Sequence, residues 1–162
     1  MNAVVFEAAA AEVADRELEA LLHAVYVEGG FTRSEDASAA LAAEAVRARG
    51  RLFFVRRESC LAGMAILVEP SSPARRIAER DEAELQLMAV SASYRGSGVG
   101  AALLEAVMSA ARVGGYRAMV LWTQPTMLAA HRLYERAGFL RARTRDFTRA
   151  DGTPFWVYEA AL

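Results

Sequence analysis

The chain has 162 residues, of which 35 are alanine, and its basic charge comes from 19 arginines with no lysine. The missing lysine excludes Schiff-base chemistry, a pyridoxal-phosphate anchor and a lysine-containing phosphate loop, because each needs a lysine amine. With 54% hydrophobic and 24% charged residues, the composition is typical of one globular domain over residues 1–162. The net charge of -1 gives no bulk reason to bind nucleic acid or an anionic membrane.

Cysteine and histidine are scarce. Cys60 is the single cysteine, so no disulfide can form within the chain and a reducing compartment is expected. His23 and His131 lie far apart in the sequence, so we expect both on helix surfaces and predict no metal site. The lack of a signal-peptide pattern and of any run of ~18 apolar residues predicts a cytoplasmic protein without a membrane span.

Two helices are predicted near the start of the chain, after a short apolar segment at Val4–Phe6. Leucines at helical spacing over residues 15–29 predict an amphipathic helix, capped by its first aspartate and stopped by two glycines. Thr32 and Glu35 have the spacing of a capping box and predict an alanine-rich helix that ends at Gly50.

Strand patterns replace the helical ones in the middle of the chain. Leu52–Arg56 and Leu61–Val68 flank a short turn and predict an antiparallel hairpin. The polar stretch Pro70–Glu82 is interpreted as a connection, and Glu84–Val90 as the next strand. This strand leads directly into a glycine-rich turn.

Helix and strand patterns alternate in the second half. A helix follows the glycine-rich turn, Ala118–Thr123 is predicted to be a strand, and Met127–Ala137 a helix closed by a glycine. Phe139–Phe147 and Phe155–Ala161 are predicted to be the two final strands. Hairpins at both ends and one strand-helix-strand crossover predict a mixed α/β fold.

The glycine-rich turn is the first candidate binding site. Gly96, Gly98 and Gly100 leave backbone N–H groups unobstructed where a helix begins, and a helix N-terminus favours anions. Arg95 adds a positive charge, so a pyrophosphate is the expected occupant. The spacing Gly96-x-Gly98-x-x-Ala101 also fits a dinucleotide fingerprint, but the turn falls late and no acidic residue ends the next strand. A glycine turn that only starts a helix is the structural alternative.

Two motifs in order resemble the GNAT superfamily of N-acetyltransferases. The pattern Arg-x-x-Gly-x-Gly at 95–100, after the strand end 87–90, is similar to that superfamily's acetyl-CoA pyrophosphate loop. The pattern Ala-x-x-Leu-Tyr-x-x-x-Gly-Phe at 130–139 is similar to its second signature. The resemblance implies acetyl-CoA as cosubstrate and a single-domain, GNAT-like α/β fold, with a mixed, mostly antiparallel sheet of about seven strands and about four helices. Met127 departs from the family pattern, which often has a cofactor-contacting asparagine there.

The resemblance also implies which groups hold the cosubstrate. Amides of residues 96–101 would hold the pyrophosphate, the strand edge at Met88–Val90 would pair with the pantetheine arm, and the Met88 amide would face the acyl oxygen. The implied cofactor-binding residues are Met88, Ala89, Val90, Arg95, Gly96, Ser97, Gly98, Val99, Gly100 and Ala101.

Glu84 is the candidate general base. Strand alternation predicts that Leu85, Leu87 and Ala89 share a core face, and that Glu84, Gln86 and Met88 share the other. Glu84 then lies on the face of the acyl position. The resemblance places a base there, and its carboxylate could accept the amine proton directly or through water. The alternative is a solvated carboxylate at the start of a strand.

Tyr134 is the candidate general acid, because the second signature surrounds it. It shares a helix face with Ala130, Leu133 and Ala137, and that face must pack on the sheet. Its phenol, with an ordinary pKa of ~10, is suited to return a proton to a thiolate whose thiol pKa is ~8.5. The alternative is a buried aromatic with a satisfied hydroxyl.

Several arginines are weaker candidates. Arg141, Arg143 and Arg145 alternate and are predicted to form a solvated strand face rather than an anion site. Arg132 and Arg136 share a helical stripe that either approaches a phosphate or only covers the surface.

The leading hypothesis is an N-acetyltransferase that moves an acetyl group from acetyl-CoA to a primary amine by direct attack. The acceptor would be a small molecule or a peptide N-terminus, and related folds suggest a homodimer. The alternative is a non-catalytic acyl-CoA-binding sensor or scaffold module, which needs the glycine turn but not Glu84 and Tyr134 near the thioester. A nicotinamide oxidoreductase is disfavoured by the missing acidic residue.

Overall fold

A mixed β-sheet of eight strands crosses the computed structural model, which describes residues 5–7 and 12–162. The strands in these residues are β1 Val5–Glu7, β2 Arg51–Arg57, β3 Cys60–Val68, β4 Glu82–Val90, β5 Ala118–Thr123, β6 Leu140–Arg141, β7 Phe147–Thr148 and β8 Pro154–Ala161. The predicted first apolar segment is present as β1, although Val4 itself lies outside the described residues.

The strand order is β1-β2-β3-β4-β5-β8-β6, with β7 paired to β8. All pairs are antiparallel except β4 with β5, which run parallel. Parallel neighbours need a crossover connection, and the helix after the glycine turn supplies it. The predicted fold class, a mixed and mostly antiparallel α/β sheet, is confirmed, with eight strands described where about seven were expected.

Helices cover both faces of the sheet. They are α1 Asp15–Leu22, α2 Ser34–Ala40, α3 Ala43–Arg47, α4 Val99–Val113 and α5 Leu128–Arg136, and a π-helical turn at His23–Val27 extends α1. Leu103 and Val107 of α4 pack on one face, and Leu18 and Leu22 of α1 pack on the other. Because both faces are covered, β3 is buried along nearly its whole length. None of the described helices is long and apolar enough to cross a membrane.

The predicted alanine-rich helix from Thr32 to Gly50 is wrong, because the structure breaks it into α2 and α3. Between them, the Ala43 N–H donates to the Glu19 carboxylate of α1 at 2.8 Å. This bond satisfies an amide at the start of α3, so a side chain far away in sequence stabilises a new helix start. Thr32 forms no cap, since α2 begins after Arg33 with no side-chain hydrogen bond at its N-terminus.

The predicted strand Phe139–Phe147 is also wrong as a continuous element. The segment forms β6, a 3-10 turn at Arg143–Arg145 and β7. The Asp146 carboxylate accepts the Val157 N–H of β8 at 2.8 Å, so a side chain takes the place of a backbone acceptor there. The final predicted strand, Phe155–Ala161, is confirmed as the larger part of β8.

The three arginines of this segment do not share the solvated strand face that alternation predicts. Arg141 lies over the Trp156 ring, 4.0 Å from its centroid, and Arg143 is exposed. Arg145 turns inward and binds the buried Glu82 carboxylate at 2.8 Å. A 3-10 turn rotates successive side chains by about 120°, which breaks the alternation of a strand.

Candidate active site

A cleft opens at the centre of the sheet, where β4 and β5 separate. Their pairing covers only Glu82–Leu85 and Ala118–Leu121, whereas β3 follows β4 as far as Val90. The edge of β4 beyond Leu85 therefore has no strand neighbour on the β5 side, and unpaired edges can accept an added chain. The cavity there measures about 1290 Å³, which is large enough for a cosubstrate together with an acceptor.

A β-bulge in β4 sets the direction of its side chains next to the cleft. Leu87 has a φ of +46°. The register passes from Gln86 opposite Ile66 to Ala89 opposite Met64, so β4 carries one extra residue relative to β3. An extra residue inverts the alternation of side chains beyond it.

The predicted faces of β4 are therefore wrong beyond the bulge. Leu85 packs with the α4 side of the sheet, whereas Leu87 and Ala89 pack with the α1 side. Met88 packs on the α4 side. Glu84 alternates with Leu85 and so lies on the α1 side. Glu84 thus does not share a face with the expected acyl position at Met88.

The glycine turn has the geometry of an anion site. Gly96 and Gly98 have φ values of +75° and +87°, a left-handed region that glycine adopts without strain. No atom lies within 4 Å of the position that a Cβ would take at either residue. The amides of residues 98–101 begin α4, and within the described part of the chain none of them meets an acceptor. Free amides beside an open surface fit a pyrophosphate.

Positive charge is concentrated in the cleft, although the chain as a whole is nearly neutral. Asp36 is the one carboxylate residue among the described lining residues. Seven arginines line the same cavity: Arg49, Arg76, Arg95, Arg132, Arg136, Arg145 and Arg149. Arg95 belongs to the glycine turn, and α5, which carries Arg132 and Arg136, lies against it, since Leu133 is 3.2 Å from a Cβ built on Gly100. This end of the cleft suits phosphates.

Seven of the ten residues predicted to bind the cosubstrate line the cleft: Met88, Val90, Arg95, Gly96, Gly98, Gly100 and Ala101. The side chains of the other three lie elsewhere. Ala89 and Val99 are buried in the two hydrophobic clusters, and the Ser97 hydroxyl donates to the Tyr94 carbonyl at 2.6 Å. A role for these three through their backbone groups stays a prediction.

Tyr134 lies on α5 in the wall of the cleft and is 7% exposed. Its ring packs against Phe139 and Tyr158, at centroid distances of 5.9 and 6.3 Å. Its hydroxyl has no hydrogen-bond partner among residues 5–7 and 12–162. Burial raises the pKa of Tyr134 above its ordinary value of 10.0, so the phenol keeps its proton at neutral pH. The cleft therefore contains a free O–H donor.

Glu84 is fully buried, and both of its carboxylate oxygens accept hydrogen bonds. The backbone N–H groups of Arg76, Ile77 and Ala78 donate to it at 2.8 to 3.2 Å, and the Gln86 side-chain amide donates as well. The carboxylate thus holds the loop between β3 and β4 against the sheet. Its role as a general base stays a prediction.

Tyr26 is a cleft residue that no sequence motif indicated. Its hydroxyl donates to the Met88 carbonyl at 3.0 Å. Burial raises the pKa of Tyr26, and Tyr134 raises it further. Tyr26 belongs to the π-helical turn His23–Val27, and such turns are frequent at functional sites. Because a π turn shifts the direction of later side chains, helical periodicity carries no signal for this contact.

The two histidines have different environments. His23 is exposed, as expected, but the surface prediction for His131 is wrong. His131 stacks on Trp156 with ring centroids 5.2 Å apart, and its Nε2 lies 3.0 Å from the Gln124 carbonyl oxygen. Burial lowers the pKa of His131, which keeps it neutral at pH 7. Within the described ranges, no group of three His, Cys, Asp or Glu residues could hold a metal ion.

The fold and the cleft together combine a helix N-terminus whose geometry suits phosphates with a sheet that splays apart. The family model of the acetyltransferase (GNAT) family matches residues 16–139, and the chain belongs to that family. The resemblance drawn from the two motifs is therefore confirmed. The members of this family are described as acetyltransferases.

One protein of known function and two solved structures also resemble this chain. N-acetylaspartate synthetase of Danio rerio is 42% identical over 66 residues, which are 40% of this chain and 23% of that protein. The chain thus spans about a quarter of the length of that relative. A GNAT-family acetyltransferase from Staphylococcus aureus Mu50 superposes with a TM-score of 0.75 at 16% identity, covering 99% of both chains. Salmonella typhimurium YncA, solved with acetyl-CoA, superposes with a TM-score of 0.70 at 18% identity, covering 100% of this chain and 95% of that one. These two structures share the fold.

Proposed function

We propose that this protein transfers an acetyl group from acetyl-CoA directly to a primary amine. The observation that carries the proposal is the free, protonated hydroxyl of Tyr134, in the same cleft as the glycine turn. Transfer from a thioester to an amine needs a held cosubstrate, a polarised carbonyl and a proton for the leaving sulfur. The cleft has a candidate group for each.

The glycine turn and the edge of β4 would hold the cosubstrate. The free amides of residues 98–101 suit its pyrophosphate. The strand edge beyond Leu85 has room for an extended pantetheine arm to pair. When bound, acetyl-CoA supplies an activated acyl thioester. The Met88 N–H would donate to the acyl oxygen, a contact whose loss costs ~2.7–4 kcal/mol in other enzymes.

Tyr134 would complete the transfer of protons. The amine nitrogen bonds to the acyl carbon as the carbon–sulfur bond breaks, and Tyr134 donates its proton to the departing sulfur. The proton that the nitrogen loses returns to the Tyr134 oxygen, directly or through water, which restores the phenol. Its buried phenol is protonated at neutral pH and has no competing partner among the described residues. Tyr26 would support this arrangement by holding Met88 through its carbonyl.

For Glu84, its surroundings favour a positioning role over the direct general base predicted from the sequence. A base must present a free lone pair to the amine or to a water. The Glu84 oxygens instead receive three backbone amides and the Gln86 side chain. The groups that it holds, Arg76, Ile77 and Gln86, line the cleft. By holding these groups, Glu84 would shape the part of the cleft that binds the acceptor amine.

Direct attack by the amine is favoured over transfer through a thiol of the protein. Cys60 is the only cysteine of the sequence, and it is exposed beside the turn between β2 and β3. It is not among the residues that line the cleft. No cysteine thiol therefore lies where an acyl group could be taken over.

The acceptor is proposed only as an amine. The relatives called N-acetylaspartate synthetase carry a product in their name, but the chain spans about a quarter of their length. We propose one acetyltransferase domain over residues 1–162, with a small molecule or a peptide N-terminus as the acceptor.

Release of free thiol from acetyl-CoA with a panel of amines tests the proposed function. We expect acetyl-CoA at ~100 times its Kd to stabilise the protein by about 2.7 kcal/mol and NADH to leave its Tm unchanged. Thiol should appear only when an amine is added. Stabilisation by acetyl-CoA with no thiol release from any amine would instead support the non-catalytic binding module.

A further inference from the structure

Arg49 and Arg76 are two of the five cleft arginines that form no ion pair among the described residues, and they belong neither to the glycine turn nor to α5. Arg49 follows α3, and Arg76 lies in the loop held by Glu84. Neither forms an ion pair within residues 5–7 and 12–162, whereas two other arginines of the same cleft, Arg145 and Arg149, are paired with carboxylates. The unpaired charges mark this part of the cleft as a place for an anion.

Arg49 is held by fixed partners. One Nη donates to the Ala40 carbonyl at 2.8 Å, and the other donates to the Gln86 side-chain oxygen at 3.3 Å. Because a guanidinium carries five N–H donors, three remain for a ligand. Burial lowers the pKa of Arg49, and the charge of Arg76 lowers it further. Both residues adjoin the same two side chains, since Gln86 accepts from Arg49 and donates to the Glu84 carboxylate, which accepts the Arg76 N–H.

The protein itself does not neutralise this pair. Glu84 accepts the backbone N–H of Arg76, but its oxygens are filled by that amide, two other backbone amides and Gln86. Asp36, the one carboxylate residue of the described lining, forms no ion pair in that part of the chain. Two neighbouring cations repel each other, and an anion bound by both removes that cost.

These arginines are separated from the glycine turn. Gln86, which holds Arg49, lies four residues before Val90, roughly 13 Å along a strand, and the turn begins beyond that end. Arg49 donates to α2, on the α1 side of the sheet, whereas Arg132 and Arg136 belong to α5 on the other side. A pyrophosphate at the turn therefore leaves Arg49 and Arg76 free.

We propose that the acceptor amine carries a carboxylate, which Arg49 and Arg76 bind while the amine reaches toward Met88 and Tyr134. The inference rests on the proposed function and names its acceptor class. A planar guanidinium matches a carboxylate with two parallel hydrogen bonds. Tyr26 lines the same cleft and donates to the Met88 carbonyl at the reacting end.

Matched acids and amides test this inference. Glycine is compared with glycinamide, and β-alanine with β-alaninamide, in the thiol-release assay. We expect the acids to have a kcat/KM about 10- to 100-fold higher, the range of a charge-assisted hydrogen bond. The amides have less basic amines and lose a proton more easily, so a preference for the acids must come from binding the carboxylate.

Two variants locate the effect. Arg76→Gln should raise the KM of the preferred acid about tenfold or more, with kcat nearly constant and the amide unaffected. Arg75→Gln is the matched control, because Arg75 is exposed and is not among the lining residues. Arg49→Gln should act in the same direction, and its Tm shows whether the contacts to Ala40 and Gln86 matter for folding.

The outcomes separate the inference from the proposed function. Thiol release that prefers amides or phosphoethanolamine, or that Arg76→Gln leaves unchanged, overturns the carboxylate site while the acetyltransferase stands. If no amine releases thiol, the proposed function fails. In that case, a rise in Tm of the acetyl-CoA-loaded protein with acids alone, lost in Arg76→Gln, still supports the site, and its absence overturns it.

Discussion

Tyr26 donates its phenolic hydrogen to the backbone carbonyl of Met88 at 3.0 Å. The bond joins the π-helical turn after α1 to the residue that follows Leu87 in the β4 bulge. Met88 is also the proposed donor to the acyl oxygen. A side chain 62 residues earlier in the sequence therefore positions the backbone at the reacting end of the cleft.

Tyr26→Phe removes this bond and keeps the ring. We expect kcat to fall about fivefold, the equivalent of one ordinary hydrogen bond of ~1 kcal/mol, with unchanged affinity for acetyl-CoA. Steady-state kinetics and calorimetric titration measure the two quantities. Tyr116→Phe, just beyond the end of α4 and outside the cleft lining, is the matched control. An unchanged kcat in Tyr26→Phe would remove Tyr26 from the site.

Tyr134→Phe should lower kcat by ~10²-fold with little change in acetyl-CoA affinity, the loss typical of a general acid. Its Tm should stay near that of the wild type, because the hydroxyl bonds to none of the described residues. Burial raises the pKa of Tyr134, so wild-type kcat should not decline between pH 7 and the ordinary tyrosine value of 10.0 through loss of this proton. Full turnover by the variant would exclude the acid role.

Glu84→Gln separates a positioning role from a general base. The new amide group would face backbone N–H donors, and we expect the free energy of unfolding to fall by about 1–3 kcal/mol. A lost base is rescued at high pH, where the amine is already neutral, whereas a displaced loop is not. We therefore expect low activity across the whole pH profile. Glu79→Gln, exposed in the same loop, is the control, and rescue of Glu84→Gln at high pH would restore the base role.

Gly98→Leu tests the anion site at the glycine turn. The position has a φ of +87° and open space around it. A leucine there should destabilise the fold by about 1–2 kcal/mol through backbone strain, and its side chain would fill the surface that the phosphates approach. We expect the thermal shift with acetyl-CoA to disappear. Gly115→Leu is matched in φ, at +77°, and in open space, but lies outside the cleft. An equal acetyl-CoA shift in both variants would place the phosphates elsewhere.

The buried ion pair of Glu82 with Arg145 should make stability depend on pH. Burial, the largest influence on Glu82, opposes ionisation, but Arg145, the Glu79 amide and Arg117 outweigh it and lower the pKa of Glu82 below its ordinary 4.5. The folded pKa lies below the unfolded one, so this stabilisation is present above pH 4.5 and is lost as the pH falls through the folded value.

Arg145→Gln tests that linkage. It should lower the free energy of unfolding by about 3 kcal/mol at pH 7, because it leaves the buried Glu82 charge without its main partner. The difference from the wild type should shrink as the pH falls through the folded pKa of Glu82, where the carboxyl becomes protonated. Urea unfolding over a pH series measures it. A difference that is constant with pH would show that Arg145 stabilises by packing alone.

Much of the architecture follows from local patterns in the sequence. The hairpin of β2 and β3, the strand Ala118–Thr123 and the helix after the glycine turn form where periodicity and turn residues predict them. The positive φ of Gly98 and the position of Tyr134 in the cleft wall likewise agree with the two motifs. These features depend on neighbours a few residues apart, and a sequence displays such neighbours directly.

Only the tertiary structure determined how the site is built around these motifs. The Glu19 carboxylate starts α3, the bulge at Leu87 turns Met88 away from the face of Glu84, and the hydroxyl of Tyr26 reaches Met88. Arg49 is set in place by Gln86, and three loop amides occupy Glu84. Each of these contacts joins side chains to backbone groups that come together only when the sheet forms. The glycine spacing by itself predicted a site for pyrophosphate, and the resemblance of the two motifs implied acetyl-CoA. The acceptor side of the cleft, in contrast, was determined by packing between distant segments.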